Sequence, residues 1–210
     1  MRRLLLCLSL AALPAFGGAP VSRPSPITLY ADFQQDPPPA VLEAIQSELD
    51  AIMSPIGLHF EWRSLKANRG NEVSVELAVV TFRGSCDTAH LEPVVGNPGA
   101  LGWTHLSDGV ILPFSDIDCD GIRRFVQSGL LRVDTRNQEE TYGRAVGRVL
   151  AHELYHVFAN TPHHGTQGVA KAAYTARELL SKVFHFERGE FQALRAGKTK
   201  AVISASAAGQ

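Results

Sequence analysis

The chain has 210 residues, 45% of them apolar and 20% charged, and a formal net charge of −1. That length suits one domain with a sizeable core, and the balance is ordinary for a globular protein. With charge near zero and no extended basic run, a nucleic-acid partner is excluded. The first segment runs Met1-Arg2-Arg3, then LLLCLSLAALPAF, then the small residues Gly17-Gly18-Ala19. These are the charged, apolar and small-residue zones of a secretory signal peptide over residues 1–19. The apolar run is short for a bilayer span, and the competing reading is an uncleaved anchor. The expectation is a secreted or periplasmic protein with no membrane contact after signal cleavage.

Losing residues 1–19 removes Arg2 and Arg3, which brings the formal net charge to about −3. It also removes Cys7 and leaves two cysteines, Cys86 and Cys119. An even pair in an exported chain, without CxxC spacing, reads as a structural disulfide rather than a zinc site. Closing a loop of that size stabilises a fold by about 3–4 kcal/mol in the chain-entropy view.

Residues 19–25 read as a linker. Residues 27–33 alternate β-prone side chains and predict a first strand. Asp36 precedes Pro37, Pro38 and Pro39, an N-cap followed by first-turn prolines. Val41, Leu42, Ile45, Leu49, Ile52 and Met53 then recur at helical spacing, up to Pro55 and Gly57. Residues 58–62 predict a second strand, with His59 an ordinary strand residue. Residues 73–82 predict a long third strand, central and covered on both faces. Residues 83–98 read as loop, holding Cys86 and His90. Residues 101–105 and 109–114 predict two strands across the Ser107-Asp108-Gly109 turn.

Asp116, Asp118 and Asp120 alternate around Cys119, but the rest of an EF-hand is absent, so turn and cap roles are preferred to a calcium loop. Residues 122–131 read as a short helix. A longer helix opens near Asn137, with Glu139 and Glu140 in its first turn. It buries Ala145, Val146, Val149, Leu150, Leu154, Val157 and Phe158. Gly143 and Gly147, one turn apart, predict close packing against the sheet. Thr175-Ala176-Arg177-Glu178 is a capping box that opens a C-terminal helix with Leu179, Leu180, Val183 and Phe184. Residues 197–210 (GKTKAVISASAAGQ) are low in complexity and are expected to be a disordered tail. The order of elements is that of an α+β domain.

Of the eight histidines, four fall between His152 and His164. His152-Glu153-Leu154-Tyr155-His156 puts two imidazoles one turn apart on one helix face, with Glu153 beside the first. This is the HExxH pattern of two metal ligands and a general base on one helix. The bland alternative is a surface helix carrying two His and a Glu. Against it, the pattern sits on a strong helical periodicity. Asn160 tolerates the left-handed conformation of a helix stop, and Pro162 bars continuation. His163 and His164 follow at once, where a turned chain can bring one of them back. A catalytic zinc site has three protein ligands and a position for water. Two helical His and one returning His make three.

This run resembles the zincin metallopeptidases, in particular the metzincins, whose signature is HExxHxxGxxH followed by a methionine turn. It is also similar to a looser signature, HExxHxxxGxxxHSxxGIM, found in exported bacterial proteins. Against that pattern Asn160 takes the Gly place and His164 the third His. Gly168-Val169-Ala170 takes the place of Gly-Ile-Met, with Ala170 where the methionine belongs. The match covers about residues 144–174.

The resemblance implies a zincin-like domain over residues 20–196. Its mixed, twisted sheet of four to five strands carries a backing helix, an HExxH helix and a small helical C-terminal subdomain. It implies Zn2+ held by His152, His156 and His164, with His163 or Glu178 as alternatives to His164. Glu153 is then the catalytic base beside a zinc-activated water, in a secreted zinc-dependent endopeptidase acting on a peptide or protein substrate as a monomer. The alternatives are an inactive zincin-like domain that binds a peptide or partner, and a small exported protein that holds metal for storage or structure. Residues 101–105 are the candidate edge strand for an extended peptide. Tyr174 is either an oxyanion stabiliser or a packed aromatic. Arg148 binds a substrate carboxylate or pairs with one of the aspartates, and His105 and His185 are structural or exposed.

Overall fold

The computed structural model describes residues 26–70, 73–89, 91 and 99–197. The expected signal peptide, the linker, His90 and residues 198–210 lie outside the described residues. Five strands form one sheet in the order β2-β1-β3-β5-β4. They are β1 (Ile27–Gln35), β2 (Phe60–Ser64), β3 (Leu77–Ser85), β4 (Gly102–Ser107) and β5 (Val110–Asp118). All neighbouring pairs are parallel except β4 with β5, so β4 is an antiparallel edge. The helices are α1 (Pro39–Met53), α2 (Cys119–Leu130), α3 (Thr135–Ala159) and the one-turn α4 (Ala176–Leu179). The architecture is α+β, as expected from the order of elements, and its sheet is mostly parallel.

Strand alternation decides which side is covered. Leu29, Ala31, Ala78, Val80, Phe82 and Ile117 are in register across the sheet and join one core with the helices. The strand expected over 73–82 starts later. Val73 and Val75 are 96% and 91% exposed, and β3 alternates buried with half-buried positions instead of being covered on both faces. The hairpin turn has φ of 50° at Asp108 and 77° at Gly109. Two successive positive values are those of the primed turn that matches strand twist.

Helix α1 buries Val41, Ala44, Ile45, Leu49, Ile52 and Met53, so Ala44 joins the predicted stripe and Leu42 is only half-buried. Its N-cap is Pro38, with no side-chain capping bond, so Asp36 does not cap it. Three consecutive prolines hold that carboxylate away from the first turn. Helix α3 opens earlier than expected, capped by Asp134, whose side chain accepts from Arg136 N–H. Glu139 and Glu140 therefore fall outside the first turn. Residues 145–156 are buried at every position, so α3 is the central element rather than a surface helix.

Gly143 and Gly147 do serve close packing, but against α1. A Cβ at Gly143 would lie 2.6 Å from Ala44 Cβ and 2.7 Å from Val41 O, and one at Gly147 would lie 2.9 Å from Ile45 O. Cys86, at the end of β3, is joined to Cys119, at the start of α2, as the cysteine count predicts.

The capping box at Thr175 and Glu178 is present, but the helix it opens ends at Leu179. Arg148, 1% exposed, explains the stop. Its Nη1 donates to the carbonyls of Glu178 and Leu179 at 3.1 and 3.0 Å, acceptors a longer helix would use for itself. Its Nε pairs with Glu48 at 2.6 Å, so Arg148 ties α3 to α1 and to the C-terminal segment and pairs with no aspartate. A further helix over 188–197, not expected from the sequence, follows a stretch without regular structure. Gly197, expected to open the tail, belongs to it.

Candidate metal centre

The site is built on the last two turns of α3 and on the chain that returns after it. Asn160 stops the helix in the left-handed region, with φ 48° and ψ 52°. Its N–H and that of Thr161 bond back to Val157 O and His156 O. The chain then folds under the helix. Gly165 N–H donates to Ala170 O at 2.7 Å, and Val169 and Ala170 are fully buried.

These carbonyls orient the two helical imidazoles. His152 Nδ1 lies 2.8 Å from Val169 O, and His156 Nδ1 lies 2.7 Å from Thr161 O. A carbonyl only accepts, so both Nδ1 atoms carry the hydrogen and both Nε2 atoms present lone pairs. The two Nε2 atoms are 3.2 Å apart. Two lone pairs held that close repel unless a cation lies between them. Two nitrogens each bound to a tetrahedral zinc at about 2.0–2.1 Å sit about 3.3–3.4 Å apart, so the spacing fits that ion.

His164 completes the group. Its ring centroid is 5.2 Å from that of His152 and 4.7 Å from that of His156, and the ligand atoms of all three lie within 4.8 Å of one another. His152 and His156 are buried and His164 is exposed. Burial pushes the His152 imidazole down to about 4, against the opposing effect of the Val169 carbonyl. Burial likewise lowers His156. Both imidazoles are therefore neutral at neutral pH, the form in which histidine can bind a metal. His163 is outside the cluster. Glu178 is also outside it, caps α4 and pairs with Lys171 at 2.6 Å.

Glu153 is 4% exposed, and burial pushes its carboxyl up to about 7. The opposing influence is the Thr104 hydroxyl on β4, which donates to Glu153 Oε2 at 2.8 Å. Thr104 Oγ1 also lies 3.1 Å from Ser115 Oγ. Tyr174 donates its hydroxyl to Val169 O and sits 2.9 Å from His152 Nδ1, so it packs behind the first ligand. Burial holds that phenol neutral.

A cavity of about 550 Å³ opens over these groups, with Leu101, Leu106, Ile111, Phe125 and Val149 among its walls. Glu153 is the one carboxylate among the described lining residues, which include no lysine or arginine.

The remaining candidates have other partners. His105 pairs with Asp116, whose other oxygen is 2.6 Å from Arg83. Asp118 caps α2 and Asp120 pairs with Arg123, while Asp116 is a buried strand residue rather than a turn or cap. His59 and His185 are exposed. The sequence alone does not bring to the site Thr104 and Gly102, neighbours of Glu153, or Ser115, the partner of Thr104. The period-two alternation of the edge strand, which puts Gly102 and Thr104 on one face, is the one signal that bears on them. No protein-family model matches the chain, and no curated protein or solved structure matches it either.

Proposed function

We propose that the chain is an exported zinc-dependent endopeptidase of zincin type. The observation that carries this reading is the three converging imidazoles, with tautomers set by main-chain carbonyls, beside a buried carboxylate. His152, His156 and His164 are the residues that hold the ion. Bound there, zinc supplies Lewis acidity toward a carbonyl and acidifies a water molecule.

The chain's own residues account for the rest. Glu153 is the base, and its burial raises its affinity for a proton, which suits that role. Thr104 occupies Oε2, which leaves Oε1 to take up the proton and release it to a leaving amine. The edge strand β4 offers main-chain groups to an extended peptide, and the apolar cavity excludes water from whatever binds there. The absence of lysine or arginine from the described lining favours internal peptide bonds over a free C-terminal carboxylate. Ala170, fully buried, stands where the resemblance has methionine, and the carbonyl beside the first ligand is that of its neighbour Val169.

The test is metal analysis followed by a casein or peptide-library assay on the purified chain and on Glu153→Gln. We expect one zinc per chain in both, with hydrolysis in the unmutated chain only. A chain without stoichiometric metal removes the reading. Zinc without hydrolysis leaves a metal-holding or peptide-binding domain.

A further inference from the structure

The edge strand touches the site at two residues, and its hydrogen-bond phase gives those same residues a second task. Asp118 N–H donates to Leu101 O at 2.9 Å, and Trp103 stands opposite Asp116. In an antiparallel pair this turns the main-chain groups of residues 101 and 103 toward β5 and those of Gly102 and Thr104 off the edge of the sheet. Gly102 and Thr104 are also the residues of β4 that meet Glu153. A Cβ at Gly102 would lie 2.9 Å from Glu153 Oε1 and 3.0 Å from its Cγ, so only glycine leaves the carboxylate its place. Two residues on, the Thr104 hydroxyl is 2.8 Å from Oε2.

The direction of that bond is fixed from behind. Ser115 is 3% exposed, and a buried hydroxyl must place its hydrogen on an acceptor. Thr104 Oγ1, at 3.1 Å, is its hydrogen-bond partner among the described residues. Once Ser115 donates to Thr104, the single hydrogen of Thr104 is left for Glu153, whose Oε2 at 2.8 Å is nearer than its main-chain O at 3.1 Å.

We propose that Thr104, its hydroxyl turned by Ser115, is the positioning residue for the Glu153 carboxylate. The strand edge that seats a peptide backbone then also sets the base. The inference rests on the peptidase reading.

The experiment uses the full exported chain loaded with zinc and a quenched fluorescent peptide that it cleaves. Thr104→Val keeps the shape of the side chain and removes the donor, whereas Thr104→Ser keeps the donor. We expect Thr104→Val to lower kcat about 10- to 100-fold, the range of one hydrogen bond to a charged group, with KM changed less than about twofold. Thr104→Ser restores kcat, and Ser115→Ala loses less than Thr104→Val. Zinc content and the thermal midpoint stay at the unmutated values in all three. Should Thr104→Val lose zinc or its midpoint, Ser115→Ala carries the comparison. Unmutated kcat in Thr104→Val, or a loss that Thr104→Ser does not restore, overturns the inference and leaves the peptidase standing. A zinc-loaded chain that cleaves no peptide overturns the peptidase reading and the inference with it.

Discussion

At the scale of single residues, the ligand set divides by how local its determinants are. His152 and His156 are legible because a helix repeats every 3.6 residues, so spacing alone puts them on one face. The third ligand depends on the fold of a short return. Asn160 in the left-handed region and the Gly165 to Ala170 hydrogen bond decide which of two adjacent histidines faces the pair. The return brings His164 to within 4.8 Å and leaves His163 outside. We therefore expect His164→Ala to weaken zinc binding by more than about 100-fold, beyond the 10–100-fold usual for an outer-sphere partner. His163→Ala should leave affinity within about threefold, since surface changes away from a site are close to neutral. Competition titration against a chromogenic chelator measures both. The reverse order would move the third ligand to His163.

At the scale of elements, types are more legible than ends and partners. The stripe of α1 follows from periodicity, whereas the burial of α3 at every position from 145 to 156 goes beyond the one-sided stripe a helical period predicts. The stop of α4 depends on Arg148, thirty residues upstream, which no local pattern encodes. The glycine pair of α3 is a similar case. A one-turn glycine repeat signals close approach, but only packing says to what. The partner is α1, met by Gly143 at Ala44 Cβ and Val41 O, atoms that cannot swing aside as a side-chain tip would. Alanine at Gly143 would gain about 1 kcal/mol of helix propensity. Forcing two packed helices apart commonly costs about 1–3 kcal/mol, and the rigid contacts here put this site at the upper end. We expect Gly143→Ala to lower stability by about 1–2 kcal/mol net in urea denaturation. Gly189→Ala, in the helix over 188–197 with open space around its Cβ position, should show no loss. Equal stabilities would mean that α1 and α3 slide apart freely.

At the scale of the whole molecule, an ion held by the three histidines would fasten a different part of the chain from the disulfide. Cys86–Cys119 joins the end of β3 to the start of α2. The three histidines lie on α3 and on the return segment that carries the buried Val169 and Ala170. An unfolded chain holds its histidines in no such geometry, so an ion that binds the folded cluster stabilises it by mass action. At a free concentration about 100-fold above Kd the gain is about 2.7 kcal/mol, which in a domain of this size raises the melting temperature by about 5–11 °C. Zinc-loaded protein should therefore unfold that much later than protein treated with chelator, in a calorimetric scan with the disulfide intact. The shift should survive Glu153→Gln, which removes no ligand. It should shrink in His164→Ala, whose two remaining ligands both lie on α3 and no longer pin the return. A zinc shift as large in His164→Ala as in the unmutated chain would mean that the ion does not bridge the two segments.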